Sequence, residues 1–199
     1  DTGATGADYL LTQADVGKVI TVQATYTDLG GHAESVLSAA TTPVANVNDA
    51  PAGSVTITGT AEQGQTLNAS NDLSDADGLG EITYHWLRDN VDTGITGTSY
   101  LLTQADIGGV FTVQASYTDL GGQVESVIST ATVPVADVND LPVGSVTISG
   151  TAEQGQTLSA SNDLADVDGL GAITYHWLRD GQDTGATGAD YLLTQADVG

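Results

Sequence analysis

The residues best equipped for chemistry in this chain are oxygen donors. Segment 71–80 (NDLSDADGLG) places Asp72, Asp75 and Asp77 ahead of Gly78, and 162–171 (NDLADVDGLG) repeats the pattern with Asp163, Asp166, Asp168 and Gly169. Two polar stretches ending in proline, 46–51 (NVNDAP) and 137–142 (DVNDLP), supply Asn48 and Asp49, then Asp137, Asn139 and Asp140. A third pair, 26–35 (YTDLGGHAES) and 117–126 (YTDLGGQVES), carries Asp28 and Glu34, then Asp119 and Glu125. Asp at alternate positions followed by Gly offers two carboxylates around a tight turn. Carboxylates gathered this way repel unless a cation joins them. The chemistry that suits them is a hard divalent cation, above all calcium, which takes 6–8 oxygen ligands in loose geometry. The candidate metal ligands are therefore Asp49, Asp72, Asp75, Asp77, Asp119 and Glu125 at one end of a domain. Asp137, Asn139, Asp140, Asp163, Asp166 and Asp168 are their counterparts in the next.

Two other readings of the same acids stay open. Asp caps turns through its own side chain, and an acidic surface suits high salt. The skew of the composition bears on the choice, because 21 of the 26 acids are Asp and only 5 are Glu. Glu suits solvated helix surfaces, whereas Asp suits turns and hard-cation sites.

Charge also excludes partners. With 3 Lys and Arg against 26 acids and a net charge of −23, no basic stripe for nucleic acid or anionic lipid can form. No cysteine is present, so disulfides, thiol nucleophiles and thiolate metal sites are out. No apolar run approaches the roughly 20 residues that span a bilayer, and membrane insertion of this segment is not expected. His85 and His176 lie between aromatic neighbours and read as packed side chains, and His32 is replaced by Gln123 in the second copy. The DTG triplets lack the context of an aspartic protease, no G-x-S-x-G is present, and no aromatic sugar platform accompanies the acids. The expectation is a protein that is not an enzyme.

The elements that must position these acids come in a repeat. Residues 1–17 return unchanged at 183–199, and DTGITGTSYLLTQADIG begins at Asp92, so the period is 91 residues. Residues 1–91 and 92–182 differ at 22 positions. A unit of this length is a small domain in a tandem array. The proline-closed linkers set the joints: 1–47 is the C-terminal part of one repeat, 48–138 a complete repeat, and 139–199 the N-terminal part of another. The orphaned halves and the start at Asp1 suggest a window on a longer chain or filament.

Inside the complete repeat the apolar period is two. Strands are expected over 54–61 (SVTITGTA), 66–69, 82–87 (ITYHWL), 99–102, 110–117 (VFTVQASY) and 124–133, with no helix of useful length. About seven short antiparallel strands per 91 residues predict an all-β fold, a tandem immunoglobulin-like Greek-key β-sandwich. Trp86 on the third strand and the A-D-x-G corner at Ala105, Asp106 and Gly108 fit that layout. The topology would bring the linker and the second-to-third and sixth-to-seventh strand loops to one acidic end.

The run ITYHWLRD…DTGITGTSYLLTQADIGGVFTVQASYTDLGGQVES, framed by VNDLP and DADGLG, resembles the tandem immunoglobulin-like, cadherin-like repeats of giant bacterial RTX-type surface adhesins. The resemblance covers the whole 91-residue period. The joint DVNDLP is similar to the D-x-N-D-N-x-P joint of cadherins, which places Asp137, Asn139 and Asp140 on the ion. The first copy departs from it at Asn46, and both copies lack the second Asn, replaced by Ala50 and Leu141. The resemblance implies secretion, extracellular cell-surface display and a calcium-stiffened spacer role. Expected partners are neighbouring repeats of the same chain, or identical chains in a self-assembling filament joined by strand complementation.

Overall fold

A computed structural model describes residues 1–199. The chain is all-β, with antiparallel sheets and only single-turn 3-10 segments besides. No helix is long and apolar enough to cross a membrane. Two compact units are present, Asp1–Ala136 and Asp137–Gly199.

In the first unit, β1 (Gln23–Thr27) and β2 (Ala33–Leu37) form a hairpin. The fully built part follows, with β3 (Val55–Thr58), β4 (Thr66–Asn71), β5 (Thr83–Arg88), β6 (Val91–Thr96), β7 (Ser99–Leu101), β8 (Phe111–Thr118) and β9 (Val124–Ile128). These make two sheets, ordered β3-β4-β7 and β6-β5-β8-β9. The chain changes sheet after β4, β6 and β7, so the sheets are stitched together as a β-sandwich. Alternation decides which side chains meet between them. Leu67 and Ala69 point inward from β4, Tyr84 and Trp86 from β5, and Phe111, Val113, Ala115 and Tyr117 from β8. Trp86 is fully buried and its indole N–H donates to the Gly97 carbonyl at 2.9 Å. The Tyr100 ring lies between Trp86 and Phe111, with centroids 5.7 and 4.8 Å away.

The second unit holds β10 (Val146–Ser149), β11 (Thr157–Asn162), β12 (His176–Arg179), β13 (Gln182–Thr187) and β14 (Asp190–Leu192). They form sheets ordered β10-β11-β14 and β12-β13.

The expected strands are found with shifted ends, and one was not expected. Strand β6 covers a segment read from sequence only as turn-rich, because Asp92 and Gly94 break its apolar pattern. Its cause lies in the preceding turn. Asp89 and Asn90 both have positive φ, +50° and +66°, the backbone that joins two strands by a two-residue loop matching their twist. Asp180 and Gly181 repeat it between β12 and β13. Strand β9 stops at Ile128, short of the expected end at Val133.

Candidate functional site

The acidic pole of the complete repeat is built by the β4–β5 loop, the β8–β9 loop and the linker before β3. Glycine permits their close approach. A Cβ at Gly80 would collide with the Thr118 carbonyl, and one at Gly53 would sit 2.6 Å from the Asp72 carbonyl oxygen. The chain leaves the linker at Gly53 with φ +103°, a backbone that favours glycine. Ser54 then donates to Asp72 Oδ1 from both its N–H, at 2.7 Å, and its hydroxyl, at 3.0 Å.

Most carboxylates here accept local hydrogen bonds. Asp75 Oδ1 accepts the Asp77 N–H at 2.8 Å, and Asp75 Oδ2 accepts the Tyr117 hydroxyl at 2.6 Å. Asp77 is buried and acts as a hub for the joint. Its Oδ2 accepts the Asp49 N–H at 2.7 Å and its Oδ1 accepts the Gln13 amide at 2.8 Å, while the Asn46 amide also bonds to it. The Asp49 N–H, with Asn46 and Gln13 beside it, holds the Asp77 carboxyl below the usual carboxylate range. Glu125 accepts the Asn48 amide at 2.7 Å.

Asp119 differs from these. It is 4 % exposed; its Oδ1 accepts the Gln123 N–H at 2.7 Å, and its Oδ2 is buried with no hydrogen-bond partner. The Tyr117 hydroxyl reports the surrounding field. Burial, the bond to Asp75 and the charges of Asp75, Glu125 and Asp119 together push its pKa far up. Three acids thus lie near enough to act on one phenol. No three or more His, Asp or Glu side chains are grouped so that they could hold a metal ion as they stand.

The second unit repeats the local bonds. Asp163 Oδ1 accepts the Ser145 N–H at 2.6 Å, Asp166 Oδ1 accepts the Asp168 N–H at 2.9 Å, and Asp168 Oδ2 accepts the Asp140 N–H at 2.7 Å. The Asn139 amide donates to the Asp140 carbonyl at 2.9 Å, and Asp137 is exposed. The linker-to-loop clasp is therefore a property of the repeat. In the first, partial repeat Asp28 takes the place of Asp119. Its Oδ1 accepts the His32 N–H at 2.8 Å, and the His32 imidazole lies 3.4 Å from its Oδ2.

Sequence reading missed the donors. Gln13 reaches the next repeat from a corner whose T-x-x-D spacing is a turn-capping signal. There Asp15 Oδ2 accepts the Thr12 N–H at 2.9 Å and hydroxyl at 3.0 Å, and Tyr9 donates to Oδ1 at 3.0 Å. Tyr100 with Asp106, and Tyr191 with Asp197, repeat the clasp. The most tightly held of these corner acids, Asp197, was not among the candidate ligands. Backbone donation from Thr194, then Tyr191 and Arg179, pull its pKa far down.

These lowered values give a pH dependence with a defined sign. Asp15, Asp72, Asp77, Asp163 and Asp197 all bind protons less tightly folded than unfolded. Their stabilisation is complete above the unfolded value of about 3.9 and is lost as pH falls through the lower folded values. Unfolding temperature should hold steady from pH 7 to about 5 and fall progressively below about 4. Calorimetry across that range checks it, and an unfolding temperature that rises on acidification contradicts it.

Comparison with known protein families, with curated proteins and with solved structures found no match for this chain.

Proposed function

We propose that the chain is a non-catalytic spacer of tandem immunoglobulin-like Greek-key repeats, stiffened by calcium at its joints, in an extracellular surface adhesin of the giant RTX type. The sheet order β3-β4-β7 against β6-β5-β8-β9 supports the immunoglobulin-like reading. The observation that carries the calcium reading is the unpartnered, buried Asp119 Oδ2, with Asp119, Asp75 and Glu125 all near enough to act on the Tyr117 hydroxyl. A buried carboxylate oxygen without a donor is costly, and a cation is the partner that removes the cost. The donor set is all oxygen, which selects a hard ion over a transition metal.

Asp119, Asp75, Glu125 and Asp49 are the residues that would hold the ion, and Asp72 and Asp77 would position their loops. The ion supplies positive charge that offsets the mutual repulsion of these carboxylates. The chain itself supplies the geometry, because Asn46 and Gln13 of the preceding repeat and Asp49 of the linker all bond to Asp77. A joint fastened to both neighbours resists bending.

Calorimetry of the full chain in calcium and in chelator tests the reading. Calcium at 100 times its dissociation constant contributes about 2.7 kcal/mol. At 4–8 °C per kcal/mol for a domain of this size, unfolding should move up by roughly ten degrees or more. Identical unfolding temperatures in calcium and chelator would overturn it.

A further inference from the structure

We infer that the side chain at position 46, and at its counterpart 137, decides whether a joint closes unaided or only with a bound cation. Asn46 fastens the joint ahead of the complete repeat without an ion. An aspartate at that place makes closure depend on one. The second half of this inference rests on the calcium reading above, and the first half does not.

The geometry around Asn46 carries it. The Gln13 amide stands between two acceptors, Asp77 Oδ1 at 2.8 Å and Asn46 Oδ1 at 3.4 Å. Asn46 therefore turns its oxygen to Gln13, and its own amide bonds to the Asp77 carboxylate. The same amide lies over the β8–β9 loop. A Cβ at Gly121 would be 3.0 Å from Asn46 Nδ2 and 3.3 Å from Asp119 Oδ1, so the missing side chain there gives both groups room. Asp77 is buried and also takes the Asp49 N–H at 2.7 Å, while the Asn48 amide reaches Glu125 at 2.7 Å. Asp77 and Glu125 are thus each met by amide donors from outside their own loops.

An aspartate in place of Asn46 reverses the sign of this contact. Its oxygen can still accept from Gln13, but a carboxylate has no N–H to give. Two carboxylates would then share one neutral donor, and like charges in a partly buried setting repel strongly. Asp137 is that exchange already made, one period on. The backbone half of the clasp is unchanged there, with the Asp140 N–H on Asp168 Oδ2 at 2.7 Å. Only the side-chain half differs, because a donor has been replaced by a charge. Positive charge between the carboxylates restores the attraction, and a divalent cation with oxygen ligands brings it. An array that uses both linkers has joints of two grades, one self-fastened and one controlled by the ion.

Amide hydrogen exchange of the full chain, followed by NMR at one pH near neutral, tests this. The Asp49 N–H reports the clasp, and the Asp77 N–H, whose bond to Asp75 lies inside one loop, is the internal control. In chelator the wild-type Asp49 N–H should be protected. In Asn46→Asp it should exchange at least about tenfold faster, the loss of a hydrogen bond to a charged group and more. Asn46→Ala removes the donor without adding charge and should fall between the two. The Asp77 N–H should keep its rate in all three proteins. Calcium should slow exchange at Asp49 by a larger factor in Asn46→Asp than in wild type or Asn46→Ala. An unprotected wild-type Asp49 N–H in chelator would overturn the inference, as would Asn46→Asp exchanging no faster than Asn46→Ala. A calcium effect no larger in Asn46→Asp than in wild type would overturn its cation half. A wild-type unfolding temperature that ignores calcium counts against the calcium reading instead, and the comparison in chelator still judges the role of Asn46.

Discussion

Asp119→Asn is expected to abolish the rise in unfolding temperature that calcium gives the wild-type chain, while raising the unfolding temperature in chelator. Both effects come from one atom. Asp119 Oδ1 already serves the Gln123 N–H, and an asparagine oxygen accepts that bond equally well. Oδ2 has no donor and is buried. Asparagine puts an N–H2 there and so removes a buried charge that has no hydrogen-bond partner. Truncating or neutralising buried polar groups shifts stability by about 1–3 kcal/mol, more for charged ones. In chelator the change should therefore be a gain of several degrees. In calcium the variant lacks the ligand proposed at Asp119, and the gain of roughly ten degrees or more expected of the wild type should vanish. Calorimetry of both proteins in both conditions reads all four values. A variant with an undiminished calcium response would remove Asp119 from the ligand set.

Trp86→Ala should be the most damaging single change to the fold. Trp86 is fully buried, its indole N–H bonds to the Gly97 carbonyl, and its ring begins the cluster of tilted aromatic rings that runs through Tyr100 to Phe111. It also sits opposite Val113 across the central strand pair. Aromatic-to-alanine changes in a core cost about 3–5 kcal/mol. Small domains have roughly 5–15 kcal/mol in total, so a large share of the stability of the complete repeat would go. With a urea slope of about 1–3 kcal/mol per molar, the midpoint should fall by at least about 1 M. An unmoved midpoint would mean that the two sheets do not depend on this ring.

The parts of this organisation legible in sequence are those set by periodicity. Alternation over 110–117 identified β8 because Phe111, Val113, Ala115 and Tyr117 must face one core. The expected sandwich topology placed Asp72, Asp75 and Asp77 near the linker, and the linker's Asp49 N–H donates to Asp77 Oδ2. What stayed hidden depends on backbone geometry and on long-range donors. Strand β6 has a weak apolar pattern and exists because Asp89 and Asn90 turn the chain back beside β5. The D-G pair at Asp180 and Gly181 is the signal that could have revealed it. The role of Gln13 is illegible for a different reason, since its partner Asp77 lies 64 residues away. The acids themselves had two uses that sequence could not separate. Asp72 and Asp163 clamp Ser54 and Ser145, whereas Asp119 keeps an oxygen free of donors.

In the complete repeat the segment after β3 and the last segment lie side by side and run in the same direction. Glu62, just beyond β3, bridges Ala136 in parallel; the Ala136 N–H bonds the Ala61 carbonyl at 2.9 Å, and the Gln63 N–H bonds the Ala136 carbonyl at 3.0 Å. Tension applied to the two ends of the repeat pulls these segments past each other along their length. Their slanted hydrogen bonds run between the two segments, so they are loaded together in shear rather than opened one after another as in a hairpin pulled from its open end. Sliding them also strips Val55 and Val135 from the core in the same movement. Rupture of the repeat under load is therefore expected to start at this parallel contact, which acts as a mechanical latch between the segment after β3 and the last one.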